Sequence, residues 1–292
     1  MKHEDIQDTV FREAVDAIDT GNIPVLQELI AQHPRLIKEP LSTPDEKGYF
    51  ANPWLIWFVA DNPIRNERLP GNIVAVTQLL IAAYKKEVLD NWQHILNYTL
   101  GLVATGRIPR ECKVQIPLME LLIDEGATPG KGHGALAHGN FEAAEYLIKR
   151  GGELTLTTAV CLGRMEDMHR LLPTAGKAEL QVALIAAAFF GKADMLTLLL
   201  QHAADPNAYL EGAAGAGFHS HATALHQAVW SGSLDAVKVL VEAGADLTLK
   251  DKVYSGTPVD WAVYIQESGD NNNVTREQLA AIQSYLQNRQ QP

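Results

Sequence analysis

Two cysteines, Cys112 and Cys161, are all that 292 residues contain, so a disulfide framework is excluded and a reducing, cytoplasmic setting is expected. Basic charge is also scarce. Lys and Arg number 24 against 35 Asp and Glu, a formal charge of −11, and affinity for a polyphosphate backbone comes from clustered cations. Nucleic acid is not an expected partner. The longest apolar run, Val182 to Phe190, has nine residues, far below the roughly 20 of a membrane-spanning helix. Met1-Lys2-His3-Glu4-Asp5 leads into an amphipathic segment rather than an apolar signal core. A soluble protein without a membrane partner is the expectation. There is no Gly-x-Ser-x-Gly elbow, no Gly-rich phosphate loop ending in Lys-Ser or Lys-Thr, and no Cys-x-x-Cys pair. No cofactor is expected. Charge is even along the chain, −6 over residues 1–130 and −5 over 131–292, so no separate electrostatic module stands out.

What the chain has is a repeat. The clearest copy runs Thr223-Ala224-Leu225-His226-Gln227-Ala228-Val229-Trp230-Ser231-Gly232-Ser233, continues through Leu234, Val237, Leu240 and Val241, and closes on Gly244-Ala245-Asp246. Apolar residues at helical spacing flank a glycine break, which predicts two short antiparallel helices. Thr223 supplies the hydroxyl of an N-cap, and Gly244 can take the left-handed conformation that ends the second helix. Each helix has too narrow an apolar face to stand alone, and stacking on similar pairs supplies the missing core.

This unit resembles the ankyrin repeat, with its Thr-Pro-Leu-His-x-Ala first helix and Gly-Ala-Asp ending. Aligning Gly191 on Gly232 sets Ala183-Leu184 on Ala224-Leu225 and Phe189 on Trp230. Aligning Gly139 sets His133 on His226. Gly163 anchors a further copy, with Ala159, Met168 and Leu171 in core positions. Thr257-Pro258-Val259-Asp260-Trp261-Ala262 opens the last, with Asp260 at the histidine position. Looser copies precede Lys131: Ala14, Ala17, Gly21-Asn22, Leu26 and Leu29; Gly71-Asn72, Val76 and Leu79; and Ile95 to Val103 with Met119, Leu122 and Gly126-Ala127. The resemblance implies an all-α solenoid of about eight helix-turn-helix units over residues 1–292. Divergent repeats with insertions fill 1–130, and recognisable ones fill 131–292. Amphipathic helices from Asp8 to Asp19 and Arg276 to Asn288 would cover the two ends, and the chain is expected to be a monomer.

The period is irregular. Gly139, Gly163, Gly191 and Gly232 are 24, 28 and 41 residues apart, against about 33 in the consensus. The long step holds the 209–222 loop, which is rich in glycine from Gly212 to Gly217 and ends in Phe218-His219-Ser220-His221. Further departures are 39–53, 62–70 and 106–117. Insertions in such solenoids fall on the loop side, commonly the binding side.

Candidate binding residues follow: Phe189, Phe218, His219, His221, His226, Trp230 and Asp260, with His138 added for its place before Gly139. His219 and His221, expected at the surface, are also weak candidates for a metal, since imidazole suits zinc, nickel, copper or iron. His133 and His226 at the consensus position are first of all structural. Ala137, Cys161, Phe189, Trp230 and Tyr264 form a ladder along the first helices that widens from small to aromatic. Trp54, Trp57 and Phe58 read as core, both cysteines as small buried filler, and Arg65, Arg68, Arg107 and Arg110 as solvated or capping groups able to seat an anion. Two functional readings stand side by side. One is a non-enzymatic scaffold that recognises a protein or ligand through its concave face and loop tips. The other is a small-molecule or enzymatic site enclosed by 212–221, run by histidine acid–base chemistry with Asp260 as orienter or by a metal.

Overall fold

In a computed structural model of the chain, residues 3–43, 48–87, 89–210 and 218–290 are described. The glycine-rich part of the expected loop, Gly212 to Gly217, lies outside them. Among the described residues every regular element is a helix, and none is long and apolar enough to cross a membrane. The chain divides into two compact units, Met1–Glu153 and Leu154–Pro292.

In the first unit α1 (Thr9–Thr20) and α2 (Ile23–Gln32) pair around Gly21. The Asp8 carboxylate takes the Phe11 N–H at 3.0 Å and starts α1, whose buried face is Phe11, Ala14, Val15 and Ile18. A short α3 (Arg35–Lys38) follows. The next pair opens on a 3-10 turn in place of an α-helix: Leu55–Ala60, which contains Trp57 and Phe58, is buried along its whole length, as the core reading expects, and packs on α4 (Ile73–Lys86). Its tightness is held from outside, because Trp57 Nε1 donates to the Ile95 carbonyl at 3.3 Å. Then come α5 (Trp92–Thr105), α6 (Arg107–Glu111) and α7 (Gln115–Asp124), with α5 against α7. Finally α8 (His133–Ala137) pairs with α9 (Phe141–Lys149).

Three of the four arginines named from sequence are already engaged by the chain. Arg65, only 2% exposed, forks onto the Asp19 carboxylate, lies over the Phe58 ring and donates to the Phe58 carbonyl. Asp61 receives the N–H groups of Arg65, Asn66 and Glu67, which folds the 62–70 segment over it. Arg107 pairs with Glu111 and Arg110 bonds Asn140.

The second unit repeats one module four times: α10 (Leu156–Cys161) with α11 (Met165–Leu171), α12 (Lys177–Phe189) with α13 (Ala193–Gln201), α14 (Ala224–Trp230) with α15 (Leu234–Glu242), and α16 (Pro258–Ser268) with α17 (Arg276–Gln290). First helices stack on first helices, α10 on α12, α12 on α14 and α14 on α16. That arrangement explains why α12 lacks a polar face: Val182 to Ala188 is buried between neighbours on both sides. Each pair turns on a glycine with positive φ, and at Gly232 (φ +70°) a Cβ would meet Val274 Cγ1 at 2.4 Å. The turn thus needs glycine twice, for its conformation and for the close approach of the 269–275 connection. Leu279, Ile282 and Leu286 bury the inner face of α17, with Glu277, Gln283 and Gln287 facing outward.

Candidate functional site

Thr223 starts α14 as the N-cap expected from the sequence, and the cap is reciprocal, with an unusual acceptor. Nδ1 of His226, fully buried, accepts from the Thr223 N–H at 3.3 Å and lies 2.8 Å from its hydroxyl. That leaves Nε2 as the protonated nitrogen, donating to the Gly256 carbonyl at 3.0 Å. Burial depresses the basicity of His226, with the Gly256 carbonyl and Asp251 opposing. At the start of α16, Asp260 plays the part of that histidine. Its Oδ2 accepts from the N–H and hydroxyl of Thr257, at 2.8 and 2.7 Å, and these donors hold the carboxyl below its ordinary range.

Between these two helix starts the chain makes a turn around Asp251. Its buried carboxylate receives the N–H groups of Val253, Tyr254 and Gly256 and, at 3.1 Å, the indole N–H of Trp261. Burial alone would raise this carboxyl, but the donors outweigh it and keep it at about 2. The turn presents Tyr254 outward, 76% exposed, and locks Trp261 beneath it. The end of the long insertion is stitched to the same framework. Lys252 N–H bonds the His221 carbonyl at 2.8 Å, and the Gln227 side chain bonds the His219 carbonyl at 2.8 Å.

The result is a cleft of about 470 Å³ walled by Trp230, Tyr254, Trp261 and Tyr264, floored by Gly256 and Ile265, and edged by His219, His221, Asp260 and Asp270. His219 sits edge-on to Trp230 at 4.7 Å and to Trp261 at 5.4 Å; His221 lies 5.6 Å from Tyr254. Both histidines are half-buried rather than on the surface, because the aromatic rings close around them. Burial lowers the His219 pKa to about 4, with His221 adding to the effect, so the ring is neutral at pH 7. Its Nε2, like that of His221, is buried without a hydrogen-bond partner. The Asp251 carboxylate lies 3.9 Å from His221 Nε2, and Oδ2 of Asp260 is occupied by Thr257. Among the described residues no group of three or more His, Cys, Asp or Glu is arranged to hold a metal.

Of the candidate and ladder residues named from sequence, His219, His221, Trp230, Asp260 and Tyr264 line this one cleft. Phe218 and Phe189 meet edge-to-face at 5.3 Å behind His219, Phe218 being buried. His226 lies in contact with Trp261, 5.1 Å between ring centres, fully buried. His138 belongs elsewhere: it bonds the Gly134 carbonyl through Nδ1 at 2.8 Å and lines a cleft of about 610 Å³ in the first unit with Tyr49, His94 and Tyr98. Along the expected ladder Cys161 is buried, and burial pushes its thiol up to about 12, which makes it a poor nucleophile. Sequence reasoning missed Trp261, Tyr254, Asp251 and Asp270.

The stacked two-helix modules, the glycine turns and the Thr223–His226 cap occur where the repeat pattern requires them. Residues 133–251 match the family described as ankyrin repeats, in three copies. That stretch of the chain is made of ankyrin repeats. No curated protein matches the chain. Among solved structures, the human ASB11 ankyrin repeat domain is similar at 18% identity over 73% of this chain and 94% of that one, with a TM-score of 0.36. Ankyrin repeats in general serve as scaffolds for protein interaction, and in this protein the matched stretch ends on Asp251, the residue that organises one wall of the cleft.

Proposed function

We propose that the protein is a non-enzymatic scaffold that recognises a segment of a partner protein in the aromatic cleft of its second unit. One observation carries the reading: four Trp and Tyr side chains converge on a surface cleft, two of them well exposed, Tyr254 at 76% and Tyr264 at 59%. Large aromatic groups with a polar edge are the side chains that dominate binding energy at protein interfaces. Exposed side by side in a folded monomer they are costly unless a partner covers them. The acid–base alternative draws less support. It needs a carboxylate hydrogen-bonded to an imidazole, whereas Nε2 of His219 and of His221 has no hydrogen-bond partner among the described residues, and the His219 ring is neutral.

The test is selection of peptides from a randomised display library on the full chain, followed by NMR mapping with the best of them. The reading expects the indole signals of Trp230 and Trp261 to shift on binding while those of Trp54 and Trp57, buried in the first unit, stay in place. Peptides that shift only other residues, or no selectable peptide, would refute it.

A further inference from the structure

Resting on that reading, we propose that the cleft is a receptor for an arginine side chain of the partner. The argument is one of matched donors and faces. The walls are flat indole and phenol rings, and a guanidinium is a flat, weakly hydrated cation that stacks on such rings. At the edge stand two carboxylates with capacity to spare. Asp260 uses Oδ2 for Thr257, and its Oδ1 has no hydrogen bond among the described residues. Asp270 accepts the Tyr264 hydroxyl at 2.6 Å on Oδ2, and its Oδ1 is likewise without one. Deeper in, Nε2 of His219 is buried and unpartnered, and a neutral imidazole accepts a hydrogen bond as readily as it donates one.

A guanidinium brings five N–H donors in one plane, enough in number for both carboxylates and the imidazole, and a face to lay on a ring. A lysine ammonium brings three donors at a strongly hydrated point and no plane to stack. A neutral planar amide could stack but would forgo the carboxylates. The cation the chain itself offers here does not occupy the place: Lys250, whose charge acts on Asp260, is exposed and forms no ion pair among the described residues. The overall charge of −11 adds long-range attraction for a basic segment.

The experiment titrates the full-length protein at low salt with the Nα-acetylated amides of arginine, citrulline and lysine, followed through the indole signals of Trp230 and Trp261. Citrulline keeps the plane and shape of arginine without its charge. Arginine amide is expected to bind saturably in the millimolar range, about tenfold more tightly than either of the others. The Asp260→Asn, Asp270→Asn double variant keeps an amide oxygen as acceptor for Thr257 and Tyr264, should melt within a few degrees of wild type, and is expected to lose about that factor. Equal response to citrulline, or no response up to about 50 mM arginine amide, overturns the proposal. The two readings fail separately. Library peptides that bind in the cleft without arginine leave the scaffold reading standing and refute this one, whereas absence of any cleft-binding peptide refutes the scaffold reading itself.

Discussion

Nε2 of His226 donates to the carbonyl of Gly256 at 3.0 Å, and so fastens the first helix of one repeat to the turn that opens the next. The same ring accepts the Thr223 N–H on its other side. His226→Ala therefore strands the buried Thr223 N–H and removes one of the two donors of the half-buried Gly256 carbonyl, which keeps the Asp251 N–H, and the expected loss is about 1–3 kcal/mol. Urea unfolding followed by circular dichroism measures it. A variant as stable as the wild type would mean that these two bonds are replaced by water at no cost.

Arg65 is the equivalent fixture of the first unit. Its removal leaves Asp19 and Asp61 without their buried counter-charge, and Arg65→Ala is expected to cost about 3–5 kcal/mol. A change below about 1 kcal/mol, the range typical of exposed pairs, would show that the carboxylates find water instead.

At Gly232, alanine meets Val274 and a positive φ together, so Gly232→Ala is expected to destabilise by more than about 1 kcal/mol. Gly244, also at positive φ, has open space around it, and Gly244→Ala should cost less. Thermal melts of the two variants side by side check the order; the reverse order would argue against close contact at the 269–275 connection.

The neutral His219 makes stability depend on pH. Its folded pKa, about 4, lies below the ordinary 6.5. The unfolded chain therefore binds more protons between these values. Stability is fully present above about 6.5 and is lost as pH falls from there toward 4. His226 is shifted in the same direction and acts in the same sense. The melting temperature of wild type is expected to drop more steeply between pH 7 and pH 5 than that of His219→Phe, which cannot take up the proton. Parallel curves for the two proteins would place His219 in contact with solvent.

Much of the fold is legible because ankyrin units carry their instructions locally. Thr223 caps, His226 completes the cap, and Gly232 turns, each within ten residues of the others. The 3-10 turn at Leu55–Ala60 was hidden because Trp57 reaches across to Ile95, a contact between residues far apart in sequence. The cleft was half legible. Histidines and Trp230 stood out as departures from, or decorations of, a known pattern. Trp261 was passed over inside a consensus helix, and Tyr254 is displayed only because Asp251, an unremarkable acid in a connection, gathers four N–H donors around itself. His138 is a candidate for its place before Gly139, and that place says nothing of which cleft it lines.

The most direct test of the cleft as the binding surface is calorimetric titration of a library-selected peptide into wild type and into the Tyr254→Ala, Tyr264→Ala double variant. Both tyrosines are exposed, so the variant should melt within a few degrees of wild type. The account predicts that it binds the peptide at least about tenfold more weakly. An unchanged affinity in a folded variant would contradict it.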